Sequence, residues 1–278
     1  MTENLYRLIA FSDNPAGGNP AGVWLGDTLP DGNTMQSIAA RVGYSETAFI
    51  APTSGENRQI RYYSPEAEVP FCGHATIASG VVLGDTAGDG TFYLDTIAGE
   101  VPVTVSTNGG IKQASLTSVA PRHESVSQDL LYQVLAVLDW DISELDLSIM
   151  PAKIYAGAWH LLFAANSRQR LELLQYDFET LKAIMLENDL TTIQLIWRET
   201  ETLIHARNPF PVGGLVEDPA TGASAAALGG YLRDAGLLNA PQTLQIRQGE
   251  VMGRPSRIIV EIPEKGGITV TGNAVQID

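Results

Sequence analysis

The chain contains a single cysteine among its 278 residues, so no disulfide can form within it and a reducing compartment is expected. It has no apolar run near the roughly 18–20 residues that span a bilayer. Residues 1–7 lack the basic and apolar segments of a secretory signal. Positive charge is also scarce, because 17 Lys and Arg face 32 Asp and Glu and leave a net charge of −15. That negative field repels phosphates, and we expect a cytoplasmic protein without nucleic-acid or membrane partners.

Motifs for common cofactors are missing as well. The four histidines are scattered and are accompanied by one cysteine, a pattern that predicts no metal site. The patterns GxGxxG, GxxxxGK[ST], GxSxG and HExxH do not occur, which excludes the usual nucleotide, esterase and zinc-protease sites. Hydrophobic residues make up 44% of the chain, enough for two packed domains of about 140 residues each.

The sequence does contain an internal repeat. EVPFCGH at residues 68–74 and EDPATGA at residues 217–223 place Glu, Pro and Gly at the same offsets, 149 residues apart. A run of small and apolar residues follows each copy. GEV occurs at residues 99–101 and again at 249–251, which supports two related halves.

Each half is predicted to contain several strands and one helix that is apolar on all sides, at residues 75–83 and 223–235. Such a helix has no polar face for solvent, so we expect a curved sheet or barrel wrapped around it. The predicted fold class is α+β, a tandem repeat of two similar domains with an active site in the cleft between them. The first domain spans residues 1–118 and is completed by the strand 268–278; the second spans 119–267.

Other helices are predicted from their ends. Asn33 is expected to cap a helix that stops at Gly43, and Ser127 to cap a helix over residues 128–138. A further helix is expected over residues 178–187. Strands are expected at residues 5–11, 21–25, 46–51, 59–63, 91–94, 100–106, 111–116, 154–155, 161–164, 193–199, 202–206, 243–247, 256–261 and 268–271. Residues 119–124 are expected to form the boundary between the halves.

Both glycine motifs place flexible backbone at the start of a helix. Free N–H groups and the helix dipole make such an end a receptor for a carboxylate or enolate oxygen. Glu46 heads an apolar strand and is a candidate general base or acid, although a solvated carboxylate at a strand edge is the commoner role for such a residue. His74 lies at a helix start and is a candidate proton donor or acceptor. These features suit proton transfer on a small carboxylic acid.

Six segments, in this order, make the chain similar to the PhzF-like phenazine biosynthesis family, within the wider diaminopimelate epimerase-like fold. They are GNPAGV at 18–23, SETAF at 45–49, YSP at 63–65, CGHAT at 72–76, EDPATG at 217–222 and QGEVMGRPS at 248–256. The resemblance implies a homodimer and catalysis without metal or organic cofactor. In the phenazine enzyme the reaction is isomerisation of trans-2,3-dihydro-3-hydroxyanthranilate by proton relocation.

The resemblance also implies roles for individual residues. The family's catalytic residues fall on Glu46, His74 and Asp218. The turns at Gly73 and Gly222 would bind the substrate, together with the residues Asn19, Ala223 and Ser224. The family often has Ser directly after the Thr-Gly of the second motif, and this chain departs from that pattern at Ala223.

Two alternatives remain open at the level of sequence. Cys72 matches the first catalytic cysteine of the epimerases, whose mechanism needs a second thiol that this chain lacks, so two-thiol racemisation is excluded. A one-sided epimerase or tautomerase, with Cys72 and Asp218 as opposed bases, stays a candidate. The other alternative is a protein that binds a small molecule in the same cleft without turning it over.

Overall fold

The computed structural model describes residues 5–277, which divide into two compact units. Unit 1 contains the residues up to Thr117 and those from Thr271 onward, and unit 2 contains Ser118–Val270. Both units combine helices with a sheet of parallel and antiparallel strands, so the predicted α+β class is confirmed.

Unit 1 begins with a β-rich segment, and the C-terminal strand returns to it. Its elements are β1 Leu5–Ala10, β2 Asn19–Leu25, α1 Gly32–Val42, β3 Glu46–Pro52, β4 Asn57–Tyr63, β5 Glu68–Val69, α2 Gly73–Ala87, β6 Gly90–Thr96, β7 Gly99–Asn108, β8 Ile111–Thr117 and β17 Thr269–Ile277, which enters the unit at Thr271.

The strands of unit 1 form a ring that closes on itself. Strand β1 lies antiparallel between β2 and β17, β2 pairs with β3 in parallel, and β3 with β4 antiparallel. Strand β4 pairs with β6 in parallel, β6 with β7 and β7 with β8 antiparallel, and β8 pairs with β17.

Helix α2 packs against five strands of this ring, namely β1, β2, β3, β7 and β8. Its residues from His74 to Gly84 are buried without interruption, as the all-round apolar sequence predicts. The approach to the sheet is close at Gly80, where a Cβ atom would lie 2.6 Å from Cβ of Ala114 and 2.9 Å from Cγ1 of Val103. The small residues of the helix therefore allow it to fit against the strands.

Helix α1 packs on the sheet through Met35 and Ala39, which share a buried cluster with Phe49 of β3. Its predicted cap is wrong by two residues: Asp31, not Asn33, is the N-cap, and the Asp31 carboxylate accepts hydrogen bonds from N and Oγ1 of Thr34 at 3.0 and 2.7 Å. A carboxylate takes the cap because it accepts both bonds at once. The predicted stop at Gly43 is confirmed, since this residue has φ 71° and its N–H bonds to the Ala39 carbonyl.

Unit 2 has more helical content than unit 1. Its elements are β9 Arg122–Ser125, α3 Gln128–Leu138, a 3₁₀ turn Ile142–Glu144, β10 Ala152–Tyr155, β11 Trp159–Ala164, α4 Arg168–Glu172, α5 Phe178–Glu187, β12 Thr192–Arg198, β13 Leu203–Phe210, a 3₁₀ turn Pro211–Gly213, β14 Leu215–Asp218, α6 Gly222–Asp234, β15 Gln242–Gln248 and β16 Ser256–Ile262.

Strand pairing in unit 2 follows the same order as in unit 1. The pairs β10–β11, β12–β13, β13–β14 and β15–β16 are antiparallel, whereas β11–β12 and β13–β15 are parallel. Unit 1 shows this series from β1 to β7: antiparallel, parallel, antiparallel, antiparallel, parallel, antiparallel. In both units the short fifth strand of the series precedes the helix that begins at the repeated glycine.

Helices α3 and α5 pack against β11 and β12 around a core that includes Val134, Phe163 and Leu195. The side chain of Ser127 caps α3 by accepting from the Leu130 N–H, as predicted. The segment expected to be only a boundary contains β9, which pairs with β10, so His123 lies in a strand.

Candidate functional site

The first glycine motif forms the start of α2. Gly73 is the first helical residue, and the first hydrogen bond of the helix runs from the Thr76 N–H to the Cys72 carbonyl. The N–H groups of residues 73–75 therefore come before the helical bonding begins, and they point out of the helix end with its partial positive charge. This end of α2 can receive a negatively charged oxygen.

Glu46, His74 and Cys72 lie together at this helix end. Oε2 of Glu46 is 3.3 Å from Nε2 of His74, and Sγ of Cys72 is 3.4 Å from Nδ1 of the same ring. Oγ of Ser45 is also 3.3 Å from Nε2 of His74. The side chains of His74 and Glu46 are only 8% and 16% exposed, so the carboxylate and the ring interact with little intervening water. We call Glu46, Cys72 and His74 the Glu46 cluster.

The packing of α2 on the sheet explains why Glu46 lies close to Cys72 and His74. Glu46 is the first residue of β3, its register partner in the parallel strand β2 is Ala21, and α2 contacts both strands. The predicted binding residue Asn19 begins β2, two positions before Ala21 and hence on the same face of the strand, and it is 2% exposed.

Buried hydroxyl groups hold the first turn of α2. Oγ1 of Thr76 donates to the Cys72 carbonyl at 2.7 Å and lies 2.6 Å from the Tyr62 hydroxyl, which must then be the donor to Thr76. Burial raises the pKa of Tyr62 far above its usual value, so this phenol stays neutral and keeps its proton for that bond. These two hydrogen bonds therefore hold the Cys72 backbone in position.

The second glycine motif forms the start of α6 in unit 2. Asp218 ends β14, and its Oδ2 accepts from the Thr221 hydroxyl at 2.6 Å. Gln248 spans the turn, because its Nε2 donates to the Asp218 carbonyl at 2.7 Å and its Oε1 accepts from the Thr221 N–H at 3.3 Å. The neighbouring Gly249 has φ 73°, and a Cβ there would lie 2.3 Å from the Arg254 carbonyl oxygen, so only glycine fits.

Helix α6 begins at Gly222, and its first intrahelical bond runs from the Ala225 N–H to the Thr221 carbonyl. The N–H groups of Gly222, Ala223 and Ser224 thus precede the helical bonding, as in α2. The Ser224 hydroxyl is fully buried and donates to Oδ1 of Asn208 at 2.9 Å. The proton of the Ser224 hydroxyl is therefore engaged within unit 2.

A buried chain of hydrogen bonds continues from Asn208. Oγ1 of Thr192 donates to Oδ1 of Asn208 at 2.9 Å and therefore accepts from Nδ1 of His160 at 2.8 Å. Nε2 of His160 has no hydrogen-bond partner among the described residues, and the side chain is fully buried. Desolvation lowers the pKa of His160 to about 3, because a proton on Nε2 would bury an unpaired charge.

The repeated glutamate of each motif has a structural partner that sequence reasoning missed. Glu217 forms a two-point ion pair with Arg207 on the adjacent strand β13, with N–O distances of 2.6 and 3.0 Å, and both residues are buried. Glu68 likewise pairs with Arg61 on β4, and this bond raises the pKa of Arg61. The sequence could have indicated these ion pairs. Arg61 lies seven residues before Glu68, and Arg207 lies ten residues before Glu217, in each case on the preceding strand.

The structure thus brings Glu46, His74 and Gly73 together in unit 1, with Cys72 as an added neighbour. Asp218, Gly222, Ala223 and Ser224 form a second group in unit 2. The donor atoms of the Glu46 cluster all lie within 4.8 Å of one another, close enough to hold a metal ion. The prediction from scattered histidines did not consider this set. No helix within residues 5–277 is both long and apolar enough to cross a membrane.

Fold and site together define the class of protein: an α+β protein with a carboxylate and an imidazole at a helix N-terminus. Comparison of the sequence with protein-family models identifies the family. The model of the PhzC-PhzF family, described as phenazine biosynthesis-like protein, matches residues 8–278, and the chain belongs to this family.

Two curated relatives of this chain are named as isomerases. An uncharacterized isomerase, YfhB of Bacillus subtilis (strain 168), is 32% identical over 96% of this chain and 94% of its own. The trans-2,3-dihydro-3-hydroxyanthranilate isomerase of Pseudomonas fluorescens is 30% identical over 98% of this chain and 96% of its own. Isomerase is therefore the activity named at the level of the family.

Solved structures show the same fold. The phenazine biosynthesis protein of the PhzF family from Bacillus anthracis has a TM-score of 0.87 at 23% identity, covering 99% of this chain and 96% of the other. A hydroxyproline epimerase from Agrobacterium vitis has a TM-score of 0.65 at 14% identity, covering 99% and 92%. At these identities the likeness concerns the fold alone.

Proposed function

We propose that this chain is an isomerase that relocates a proton on a small cyclic or amino carboxylic acid by carboxylate acid–base catalysis, without an organic or metal cofactor. The observation that carries the proposal is the 3.3 Å distance between Oε2 of Glu46 and Nε2 of His74 at the N-terminal end of α2, whose first N–H groups precede the helical bonding. A base, a polarising ring and an oxyanion receptor then share one small volume.

In this proposal Glu46 takes a proton from one carbon of the substrate and returns it to another. The substrate gains and loses no atoms, as an isomerisation requires, and Glu46 ends in its starting state. His74 polarises the group that carries the developing charge, and the N–H groups of Gly73 and its neighbours hold a substrate oxygen. The short, nearly buried contact between Glu46 and His74 fixes the base for this transfer.

We further propose roles in substrate binding for the turn of unit 2. Asp218 would orient the substrate, and the N–H groups of Gly222, Ala223 and Ser224 would hold a second polar substituent. The support is the matching order of strand pairs in the two units, each with a helix that starts at the repeated glycine. On this basis we propose two repeated domains, each with its sheet wrapped around that helix.

A ring-bearing amino acid is the first substrate to try, because the Pseudomonas fluorescens relative is named for trans-2,3-dihydro-3-hydroxyanthranilate. The proposal does not extend to that compound itself, since Ala223 stands where the family often has Ser. Small cyclic carboxylic acids with an acidic C–H bond define the class.

The test is solvent exchange. The protein is incubated in deuterium oxide with members of this class, and incorporation of deuterium into carbon positions is followed by NMR. The wild type should exchange at least one of them, and Glu46→Gln should slow that exchange by about 10²–10⁴-fold, because the amide keeps the shape and cannot carry the proton. Glu66→Gln is the matched control, since Glu66 is an exposed glutamate of the same unit.

The outcomes separate the candidate functions. Exchange by Glu46→Gln at the wild-type rate would show that Glu46 is not the base. A ligand that raises the unfolding temperature of the wild type but never exchanges would favour the binding protein over the enzyme.

A further inference from the structure

We propose that Glu46, Cys72 and His74 form a binding site for one thiolate-preferring divalent cation of the Zn²⁺ type. In combination with the proposed function, such an ion would inhibit the enzyme, because it would occupy the base and the ring that move the proton. Binding itself depends only on the geometry of the Glu46 cluster.

The distances agree with the edges of a coordination tetrahedron. Zinc bonds of about 2.0–2.1 Å to nitrogen, 2.0–2.2 Å to oxygen and 2.3 Å to sulfur give N–O and N–S edges of about 3.4 and 3.6 Å. Nε2 of His74 lies 3.3 Å from Oε2 of Glu46 and 3.8 Å from Sγ of Cys72. All three donor atoms lie within 4.8 Å of one another. Sγ of Cys72 lies nearer to Nδ1 of the ring, at 3.4 Å, than to Nε2, so the Cys72 side chain must rotate toward the Nε2 edge to complete the set.

Charge also agrees with a divalent ion. Binding converts the Cys72 thiol to a thiolate with release of one proton, and this anion and the Glu46 carboxylate together balance two positive charges. Cys72 and His74 are both buried, so a neutral complex avoids the cost of a buried net charge. The thiolate ligand selects Zn²⁺ or Co²⁺ over Mg²⁺ and Ca²⁺, which prefer oxygen.

The site is also held in place before an ion arrives. Cys72 and His74 are fixed by the first turn of α2, whose backbone is anchored through Thr76. Glu46 begins β3, against which α2 packs. Three ligands from two packed elements leave one position open on the metal, as in zinc sites that also bind small molecules.

Cobalt provides a direct test with the full-length protein, because thiolate coordination to Co²⁺ gives a charge-transfer absorption in the near ultraviolet. The thiol is kept reduced, bound metal is removed with a chelator, and Co²⁺ is titrated. We expect this band and the intense visible bands of four-coordinate Co²⁺ to saturate at one ion per chain. Added Zn²⁺ should displace them.

Substitutions of single residues test which side chains bind the metal ion. Cys72→Ser should abolish the charge-transfer band, and both Cys72→Ser and Glu46→Gln should weaken Zn²⁺ binding at least tenfold, since even loss of an outer-shell partner costs about 10–100-fold. His123→Asn is the matched control, because His123 is an exposed histidine outside the cluster, and it should bind Zn²⁺ like the wild type. Circular dichroism checks that each variant is folded.

The proposal is wrong if the reduced wild type shows no sulfur-to-cobalt band, or if folded Cys72→Ser binds Zn²⁺ with wild-type affinity. The measurement contains no substrate. A failed cobalt titration therefore leaves the isomerase proposal standing, and a failed deuterium exchange leaves the metal site standing.

Discussion

Replacing His160 by asparagine should make the protein less sensitive to mild acid. His160 is fully buried, and its Nδ1–H donates to Thr192, whereas desolvation lowers the pKa of the ring to about 3. In the unfolded chain a histidine has a pKa of about 6.5. Below that value His160 binds a proton in the unfolded state but stays neutral in the folded state. The free energy of unfolding therefore decreases as the pH falls from about 6.5 toward 3.

The size of the effect follows from the two pKa values. Between pH 7.5 and pH 5.0 the proton bound only by the unfolded state removes about 2 kcal/mol of stability. The asparagine side chain would keep a polar group near the Thr192 hydroxyl but would not titrate. His160→Asn should be less stable than the wild type at both pH values, because the smaller side chain leaves a cavity, but its loss on acidification should be smaller by about 2 kcal/mol.

Urea unfolding at the two pH values measures this difference. Tryptophan fluorescence is a suitable probe, since Trp140, Trp159 and Trp197 all lie in unit 2 with His160. The contacts of His205 with Glu199 and Glu250 are present in both proteins and cancel in the comparison. Equal losses for the wild type and His160→Asn would refute the argument from desolvation.

Two further predictions concern turnover of a substrate found by deuterium exchange. Cys72→Ala should retain substantial turnover, because two-base racemisation needs a second thiol; a loss of several orders of magnitude in a folded protein would instead favour the epimerase-like alternative. Asp218→Asn should raise KM and lower kcat together, because the carboxylate that accepts from Thr221 also shapes the turn, and unchanged steady-state kinetics would remove Asp218 from the site.

Elements with a clear period and a polar cap were predictable. Helices α3 and α5 begin and end where the sequence indicated, since each combines an apolar stripe with a capping side chain, Ser127 and Asp177. The cap of α1 was misplaced because Asp31 and Asn33 are both good caps. Only the observed bonds to Thr34 decide between them.

Short strands could not be predicted in this way. Strands β5, β9 and β14 contain two to four residues, too few to show a period of two. They exist because neighbouring strands offer hydrogen-bonding partners, β4 for β5 and β13 for β14. That information belongs to the tertiary structure.

The candidate site was predictable in part. Residue type and family resemblance indicated Glu46 and His74, and the structure brings their polar atoms within 3.3 Å. The grouping of both with Cys72 was missed, because Glu46 lies 26 residues before Cys72 and only the packing of α2 on β3 joins them. Patterns of metal-ligand spacing detect ligands close in sequence and overlook this kind of set.

Comparison of the two copies of the repeat distinguishes residues that support the turns from residues that are candidates for catalysis. Residues common to both copies support the turns: the glutamates pair with arginines on adjacent strands, and the glycines begin the helices. The candidate chemical residues occupy positions that differ between the copies, since His74 corresponds to Ala223 and Asp218 to Val69. Each turn therefore carries a group that the other lacks. In the proposed function these groups have different roles, since Glu46 moves the proton, His74 polarises the substrate and Asp218 orients it.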